Sequence, residues 1–252
     1  MKFIGIIPAR YASTRFPGKP LARIGERTMI ERVYRQASRA LPRVVVATDD
    51  ERILRAVRDF GGEAVMTSKS HRSGTDRCHE AFITCGSDAD VIVNIQGDEP
   101  FIDPAQIAAL RSCFDAPDTQ IATLVRRFDA ARGYEALENP NTPKVVLSDD
   151  GRALYFSRSV IPYVRGSERA AWPSATQYYT HVGLYAYRAD VLVRLVRLPQ
   201  SPLELAESLE QLRWLQAGYT IRTAVTDCPT IGIDTPADLE AAVEYLKSHG
   251  DA

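Results

Sequence analysis

A short segment near the amino terminus concentrates positive charge and hydroxyl groups. It spans residues 8–20, and its polar side chains are Arg10, Ser13, Thr14, Arg15 and Lys19. Arginine binds phosphate through two parallel N–H donors, whereas lysine acts as a compact point charge. Gly18 would let the backbone approach a ligand closely. These residue types at this spacing predict a site for a nucleoside triphosphate, with a solvated surface loop as the alternative.

The segment differs from two common phosphate-binding motifs. Gly18 and Lys19 are followed by Pro20, whereas a P-loop needs Ser or Thr at that position and an earlier glycine. The G-x-G-x-x-G pattern of dinucleotide-binding domains is also missing from this segment. The sequence therefore argues against both a P-loop and a dinucleotide site here.

Two aspartates lie where a metal ion could be held. Asp98 comes just after the apolar run 91–96, and Asp234 comes just before the last predicted helix. Magnesium takes hard oxygen ligands, often one or two carboxylates completed by phosphates and water. Asp234 could instead cap the helix that begins at Thr235, and Asp98 could serve a turn around Gly97. From the residues alone, both alternatives stay open.

The elements that must position these groups alternate between strands and helices. Apolar runs predict strands at 3–7, 43–48, 63–66, 91–96 and 220–225. Periodicity and capping residues predict helices at 29–40, 51–60, from 104 onwards, 201–217 and 235–247. This alternation indicates an α/β fold with a parallel sheet and helices on both faces. Ligands of such sheets bind outside the carboxyl ends of the strands, where segment 8–20 begins.

The alternation is interrupted between about 140 and 187. Residues 144–147 and 153–157 flank a Ser-Asp-Asp-Gly turn, which is typical of a β-hairpin, and 181–187 is another predicted strand. Pro143 cannot donate a ladder hydrogen bond, so the first hairpin strand is expected to begin after it. We interpret 140–187 as an antiparallel insertion in a single domain, 1–252. Its aromatic side chains could cover a partner subunit or pack within the chain.

The composition is that of an ordinary soluble globular protein. Of the 252 residues, 45% are hydrophobic and 25% are charged, and the formal net charge is −1. No global field favours nucleic acid, and no apolar run approaches the ~20 residues that span a bilayer. We therefore expect neither nucleic-acid binding nor membrane insertion. The four cysteines form no C-x-x-C pair, which favours reduced thiols in a cytoplasmic protein.

Several segments, in their chain order, resemble one enzyme family. The loop IPARYASTRFPGKPL at 7–21 is similar to the signature loop of CMP-Kdo synthetases, the 3-deoxy-manno-octulosonate cytidylyltransferases. Sialic acid cytidylyltransferases have a related but distinct loop. Further matching segments are VATD at 46–49, SGTDR at 73–77, VNIQGDEP at 93–100, YFSR at 155–158 and GIDTP at 232–236. The resemblance extends along nearly the whole chain.

This resemblance implies a fold, a reaction and a set of residues. The fold is a Rossmann-like nucleotidyltransferase sheet with a small antiparallel dimerisation insertion. CMP would pass from CTP to the anomeric hydroxyl of Kdo, an acidic sugar, with release of pyrophosphate. The implied catalytic residues are Arg10, Arg15, Lys19 and Asp98. The implied nucleotide-binding residues are Ala9, Arg10, Ser13, Thr14, Arg15, Lys19, Thr48, Ser73, Arg77 and Gln96.

The resemblance also implies sugar contacts and a metal. The implied sugar-binding residues are Gln96, Arg158, His181, Tyr185, Glu210, Gln211 and Asp234. Magnesium on Asp98 and Asp234 could bind the sugar's carboxylate and hydroxyl and lower the pKa of that hydroxyl. Fixed cations would stabilise the charge that builds on the phosphoryl oxygens. His181, Tyr185, Glu210 and Gln211 could instead be structural, and Arg158 could pair across a dimer interface.

Other functions stay open beside this one. The same chemistry on 8-amino-Kdo or another acidic sugar needs few altered contacts, and a noncatalytic sugar-nucleotide binding protein would share the loop. A glycosyltransferase would need a metal-binding D-x-D at the carboxyl end of a strand, whereas Asp88-Ala89-Asp90 precedes its predicted strand. The resemblance further implies a cytoplasmic homodimer that serves lipopolysaccharide synthesis.

Overall fold

The structure, a computed structural model, describes residues 1–12 and 16–250, and the chain divides into two compact units. The first unit contains Met1–Ala108 and Cys228–Ala252, and the second contains Ala109–Asp227. In chain order the strands are β1 (Phe3–Ala9), β2 (Arg23–Ile24), β3 (Arg27–Thr28), β4 (Val44–Thr48), β5 (Glu63–Met66), β6 (Val91–Asn94), β7 (Ile121–Arg127), β8 (Lys144–Leu147), β9 (Ala153–Ser157), β10 (Tyr179–Arg188) and β11 (Ile221–Val225). The α-helices are α1 (Met29–Ala40), α2 (Glu51–Asp59), α3 (Gly74–Thr84), α4 (Pro104–Ser112), α5 (Gly133–Glu138), α6 (Trp172–Ala175), α7 (Ala189–Leu195), α8 (Pro202–Glu207), α9 (Gln211–Gln216) and α10 (Pro236–His249).

The first unit is built on parallel strands in the order β6-β1-β4-β5. Strand β1 lies between its two neighbours, with Gly5 opposite both Val44 and Val93. Every residue of β4 and β6 is buried, as expected for parallel strands covered on both faces. Because the strands are parallel, the ends of β1, β4 and β6 lie along one edge of the sheet.

Amphipathic helices cover this sheet and begin at polar caps. The Thr28 hydroxyl accepts a hydrogen bond from the Glu31 amide at the start of α1, and the Asp50 carboxylate accepts one from the Arg52 amide at the start of α2. Both helices bury an apolar stripe and pack against β4. The caps therefore fix where each helix leaves the sheet edge.

The second unit is a mixed sheet. Strand β7 pairs antiparallel with β10, with a register shift between Val182 and Tyr185, and parallel with β11. Strand β8 pairs with β10 and forms a hairpin with β9. The hairpin returns toward β11, where Arg152 bridges Arg222. A satellite core of Phe128, Leu137, Trp172 and Tyr178 lies under the connecting segments.

The structure confirms the predicted α/β fold class and most predicted elements. Helix α1, strand β5 and both hairpin strands have the predicted bounds, and β8 begins directly after Pro143. The prediction of one continuous helix over 201–217 was wrong. The Ser201 capping box begins α8 as predicted, but Ser208 has a left-handed backbone (φ 51°) that ends the helix before α9 begins.

The sequence reasoning also missed α3 and β7. Helix α3 has little apolar periodicity to indicate it, and the segment 73–77 was interpreted only as a site motif. The predicted roles of 1–252 as one domain and of 140–187 as a dimerisation insertion stay predictions. Within the described ranges, no helix is both long and apolar enough to cross a membrane. The four cysteines all lie in those ranges, and none forms a disulfide.

Candidate active site

The carboxyl edge of the first unit's sheet opens into a cavity of about 280 Å³. Segments that follow β1 and β6, the start of α3 and the loop before α10 line it. Of the residues predicted from the sequence, this cavity brings together Ala9, Arg10, Lys19, Ser73, Arg77, Gln96, Asp98 and Asp234. Thr48 ends β4 at the same edge and is fully buried. Ser13, Thr14 and Arg15 lie outside the described residues.

The Lys19 ammonium joins the two predicted metal ligands. Its Nζ atom lies 2.8 Å from Asp98 Oδ2 and 3.1 Å from Asp234 Oδ1. A third contact, 2.8 Å long, goes to the Ile233 carbonyl. The lysine side chain is only 14% exposed, so this cation is held within the protein. The two carboxylates and the ammonium therefore form one group of charges, and its members come from three separate segments of the chain.

The surrounding backbone fixes both carboxylates. The Ile233 amide donates a 3.0 Å hydrogen bond to the Asp98 carbonyl, which ties the loop before α10 to the end of β6. A Cβ atom on Gly97 would lie 2.9 Å from the Pro8 carbonyl oxygen, so only glycine lets these two loops pack this closely. The approach of the backbones is therefore what brings Asp98 to Lys19.

The alternative role for Asp234 is excluded by the cap of α10. Thr235 is the capping residue, and its hydroxyl accepts from the Asp238 amide at 3.2 Å. Asp238 completes the capping box by accepting from the Thr235 amide at 2.8 Å and the Asp234 amide at 3.0 Å. The Asp234 carboxylate is left to face Lys19 instead of the helix end.

Two of the predicted nucleotide-binding residues make structural hydrogen bonds. The Ser73 hydroxyl accepts from the Asp76 amide at 3.1 Å and caps α3. Arg77 is 4% exposed and donates to Thr67 at 2.6 Å and to the Asp49 carboxylate at 2.8 Å. These bonds set the start of α3 at the cavity wall. Whether either side chain contacts a nucleotide stays a prediction.

The sequence reasoning assigned no role to two polar residues of the cavity wall, His71 and Arg72. His71 pairs with Glu80, which also accepts from the Ser68 amide at 2.8 Å. Burial opposes ionisation of Glu80, but these two hydrogen bonds outweigh it and hold the pKa of Glu80 below its usual value. Arg72 is exposed and adds a cation at the wall. Their position just before segment 73–77 was the signal that could have identified them.

In the second unit, two of the predicted sugar-binding residues, His181 and Glu210, lie near a third, Tyr185. The ring centroids of Tyr185 and His181 are 5.2 Å apart, and Tyr185 packs edge-on against Trp214. Burial raises the pKa of Tyr185 well above its usual value, and the nearby Tyr187 and Glu210 add to this rise. His181 Nε2 lies 3.0 Å from the Thr123 hydroxyl. The structure therefore brings His181, Tyr185 and Glu210 together.

The same region contains buried donors without acceptors. Among the described residues, no acceptor meets the Gln211 amide nitrogen or the Trp214 indole nitrogen, and both are buried. Such orphaned donors cost stability unless a ligand or water satisfies them. Glu210 is held by Arg213 at 2.6 Å. Trp214 is a polar group of this cluster that the sequence reasoning missed, since nothing in its spacing marks it.

The Arg158 side chain is hydrogen-bonded to backbone carbonyls. Its guanidinium donates to the carbonyls of Glu207 at 2.6 Å, Pro140 at 2.8 Å and Ser208 at 3.3 Å. Its own amide donates to the Glu207 carboxylate at 2.8 Å. These bonds fasten the end of β9 to the break after α8. The role of Arg158 as partner of a sugar carboxylate stays a prediction.

The fold and the cavity define a class of protein. A parallel sheet whose carboxyl edge presents arginine and lysine beside two converging carboxylates is suited to binding a nucleoside triphosphate with its counter-ions. This is the arrangement of a nucleotidyltransferase. The chain belongs to the cytidylyltransferase family, among the 3-deoxy-manno-octulosonate cytidylyltransferases.

Three comparisons establish this membership. The family model described as Cytidylyltransferase matches residues 4–221. The chain is 60% identical over 248 residues to the 3-deoxy-manno-octulosonate cytidylyltransferase of Bacteroides thetaiotaomicron, covering 98% of this chain and 99% of the relative. It is 56% identical over 247 residues to the enzyme of that name from Porphyromonas gingivalis, covering 98% and 97%. A solved structure of CMP:2-keto-3-deoxy-manno-octonic acid synthetase complexed with CTP superposes with a TM-score of 0.89 at 44% identity, covering 98% of this chain and 99% of the other.

The buried imidazole of His181 predicts a specific pH dependence of stability. Burial lowers its pKa from 6.5 to about 4. Between these values the unfolded chain binds a proton that the folded chain does not, so the free energy of unfolding falls as the pH falls. By pH 5 this loss reaches about 2 kcal/mol. Urea denaturation at pH 7 and pH 5 should show this loss in the wild type and not in His181→Gln. An equal loss in both proteins would contradict the assignment.

Proposed function

We propose that this chain transfers CMP from CTP to the anomeric hydroxyl of 3-deoxy-manno-octulosonate (Kdo), giving CMP-Kdo and pyrophosphate. The observation that carries the proposal is the convergence of Lys19, Asp98 and Asp234 at the carboxyl edge of the sheet, in a chain of this family. The sugar hydroxyl attacks the α-phosphorus in line, and no covalent enzyme intermediate is needed.

The residues at the sheet edge supply fixed charge. Arg10 and Arg72 are exposed at the cavity wall and can neutralise phosphate oxygens as charge builds on the departing pyrophosphate. The described residues present no side chain that we assign as a general base.

The polar cluster of the second unit supports recognition of a polyhydroxylated acid. Its orphaned donors on Gln211 and Trp214 could each bond a hydroxyl or carboxylate oxygen. His181, held neutral near physiological pH by its low pKa, can offer one donor and one acceptor. A site built of mixed donors and acceptors discriminates against analogues that leave them unpaired.

We also propose that Asp98 and Asp234 hold Mg²⁺. Their two carboxylate oxygens already converge on one cation, the Lys19 ammonium, and hard oxygen donors suit Mg²⁺. No cluster of three or more acidic, histidine or cysteine ligands occurs in the described ranges, so phosphate, sugar or water oxygens would complete the coordination. When bound, the ion would neutralise phosphate charge and lower the pKa of a bound hydroxyl.

A homodimer is the proposed assembly, formed through the segment 140–187. Large apolar side chains are exposed there, with Leu154 at 58% and Tyr163 at 71%. Leu154 lies on β9, whose ladder partner among the described strands is β8. An apolar edge strand of this kind is normally covered. We place the enzyme in the cytoplasm, where CTP is available and where its product would serve lipopolysaccharide synthesis; cell fractionation checks this.

Pyrophosphate release tests the proposed reaction. The purified chain should release pyrophosphate with CTP, Kdo and Mg²⁺, and should lose this activity on chelation and in Asp98→Asn. ATP, GTP, UTP and sialic acid should not replace the substrates. Release only with 8-amino-Kdo would change the assigned sugar substrate, and the proposed mechanism would still hold. Absence of release with every pair, from a chain that still binds CTP, would show a binding protein.

Cation binding without nucleotide tests the metal ligands separately from turnover. Lys19→Met removes the ammonium that occupies the carboxylate pair, so this variant should bind Mn²⁺ at least about tenfold more tightly than the wild type. Calorimetric titration with Mn²⁺ measures the affinity. Lys2→Met is the matched control, since Lys2 pairs with the exposed Asp88 far from the cavity. An unchanged affinity in Lys19→Met would refute the assignment of Asp98 and Asp234.

A charged substitution on β9 tests the assembly. Leu154→Asp places a carboxylate on the proposed interface and should shift the mass in solution from dimer to monomer, because burying an unpaired charge is costly. Ile83→Asp is the control, since Ile83 is similarly exposed at 62% but lies on α3. Light scattering after gel filtration measures both masses. A monomeric wild type, or a dimeric Leu154→Asp, would reject this interface.

A further inference from the structure

An arginine outside the predicted site stacks on the phosphate-binding segment. The guanidinium carbon of Arg52, in the first turn of α2, lies 3.3 Å from the centroid of the Tyr11 ring. Tyr11 follows Arg10 directly and belongs to segment 8–20. A guanidinium over an aromatic face is attracted by the ring's electron density and packs flat against it. Tyr11 is therefore connected to α2, a helix that contributes none of the described residues lining the cavity.

Tyr11 also joins the two ends of the segment. Its carbonyl accepts a 2.9 Å hydrogen bond from the Gly18 amide. Its ring lies against Gly18, where an added Cβ atom would come within 3.0 Å of the ring carbon Cζ and the hydroxyl oxygen. Gly18 has φ 72°, a left-handed conformation that favours glycine. Tyr11 and Gly18 are thus held against each other, directly before Lys19.

Arg52 is itself held on the sheet edge. Its Nε and Nη2 atoms donate to the two Asp50 carboxylate oxygens at 2.9 and 2.7 Å. The Asp50 amide donates to the Thr48 hydroxyl at 3.3 Å, at the end of β4. The hydrogen bond from Arg52 lowers the pKa of Asp50 to about 2, so this pair stays charged near neutral pH. A continuous set of contacts therefore runs from β4 through Asp50 and Arg52 to Tyr11.

We propose that Arg52 is a positioning residue for the triphosphate: by stacking on Tyr11 it holds this residue beside Gly18, and so positions Arg10 and Lys19, which adjoin the pair and line the cavity. Arg52 is not placed among the cavity residues and acts through the tyrosine ring. The inference rests on the proposed function only in taking Arg10 and Lys19 as phosphate-binding residues. Holding these two cations in place before binding reduces the entropy lost when the phosphates are bound.

The test compares the binding of CTP and CMP, two nucleotides that differ in the number of their phosphates. Arg52→Ala should weaken CTP binding about fivefold and leave CMP binding within about twofold, because the stack holds Tyr11 and hence the adjoining cations Arg10 and Lys19, which are assigned to the phosphate chain. Arg52→Lys keeps the charge but loses the flat stacking and the paired contact with Asp50. Its CTP affinity should therefore lie between those of the wild type and Arg52→Ala. Arg55→Ala is the matched control. Arg55 is an exposed arginine of the same helix, and among the described residues its side chain donates only to the Glu51 carbonyl.

A second pair of variants separates positioning from folding. Tyr11→Phe keeps the ring and the carbonyl and should bind CTP like the wild type, whereas Tyr11→Leu should match Arg52→Ala. The double variant Arg52→Ala with Tyr11→Leu should be no weaker than either single variant, since both remove one interaction. Equal losses of CTP and CMP affinity, or additive losses in the double variant, would overturn the proposal. If the wild type binds CTP but releases no pyrophosphate, the proposed reaction fails and the binding comparison still decides the role of Arg52.

Discussion

The bridge between Lys19, Asp98 and Asp234 is the constraint on which the site depends. Two carboxylates within hydrogen-bonding distance of one point repel each other, and partial burial strengthens that repulsion. Lys19 balances them with contacts of 2.8 and 3.1 Å and is itself held by the Ile233 carbonyl. One ammonium thus joins the segment after β1, the segment after β6 and the loop before α10.

The closeness of these three segments has its own cause in the backbone. Strands β1 and β6 are neighbours, so the loops that follow them must leave the sheet side by side. Gly97 permits the contact with the Pro8 carbonyl that a side chain would prevent. The capping box of Thr235 and Asp238 begins α10 without using the Asp234 carboxylate. Helix capping and electrostatic function are therefore divided between adjacent residues, and each can be changed without the other.

Sequence patterns predicted the strands and helices that carry the site better than the ion pairs that join them. Apolar runs and caps identified most strands and the helices α1, α2, α4 and α10, because burial and capping leave local signals. The bridge between Lys19 and Asp234 joins residues 215 positions apart, and no local pattern reports it. No local pattern indicates the pairing of Arg77, predicted to bind nucleotide, with Asp49, although the two form a largely buried ion pair. The break at Ser208 was missed because serine seldom adopts a positive φ, so its residue type gives no warning.

The same bridge limits what Lys19 can do for a phosphate. Its charge is already balanced by two carboxylates, so in this arrangement it adds little net positive potential to the cavity. Arg10 and Arg72, which are exposed at the wall, carry charge that is available to an incoming triphosphate. A divalent cation held by Asp98 and Asp234 would replace the Lys19 ammonium and leave it available to a phosphate oxygen. A lysine in this position can therefore serve the carboxylates and the phosphates in turn, and the affinity for one ligand must then depend on the presence of the other.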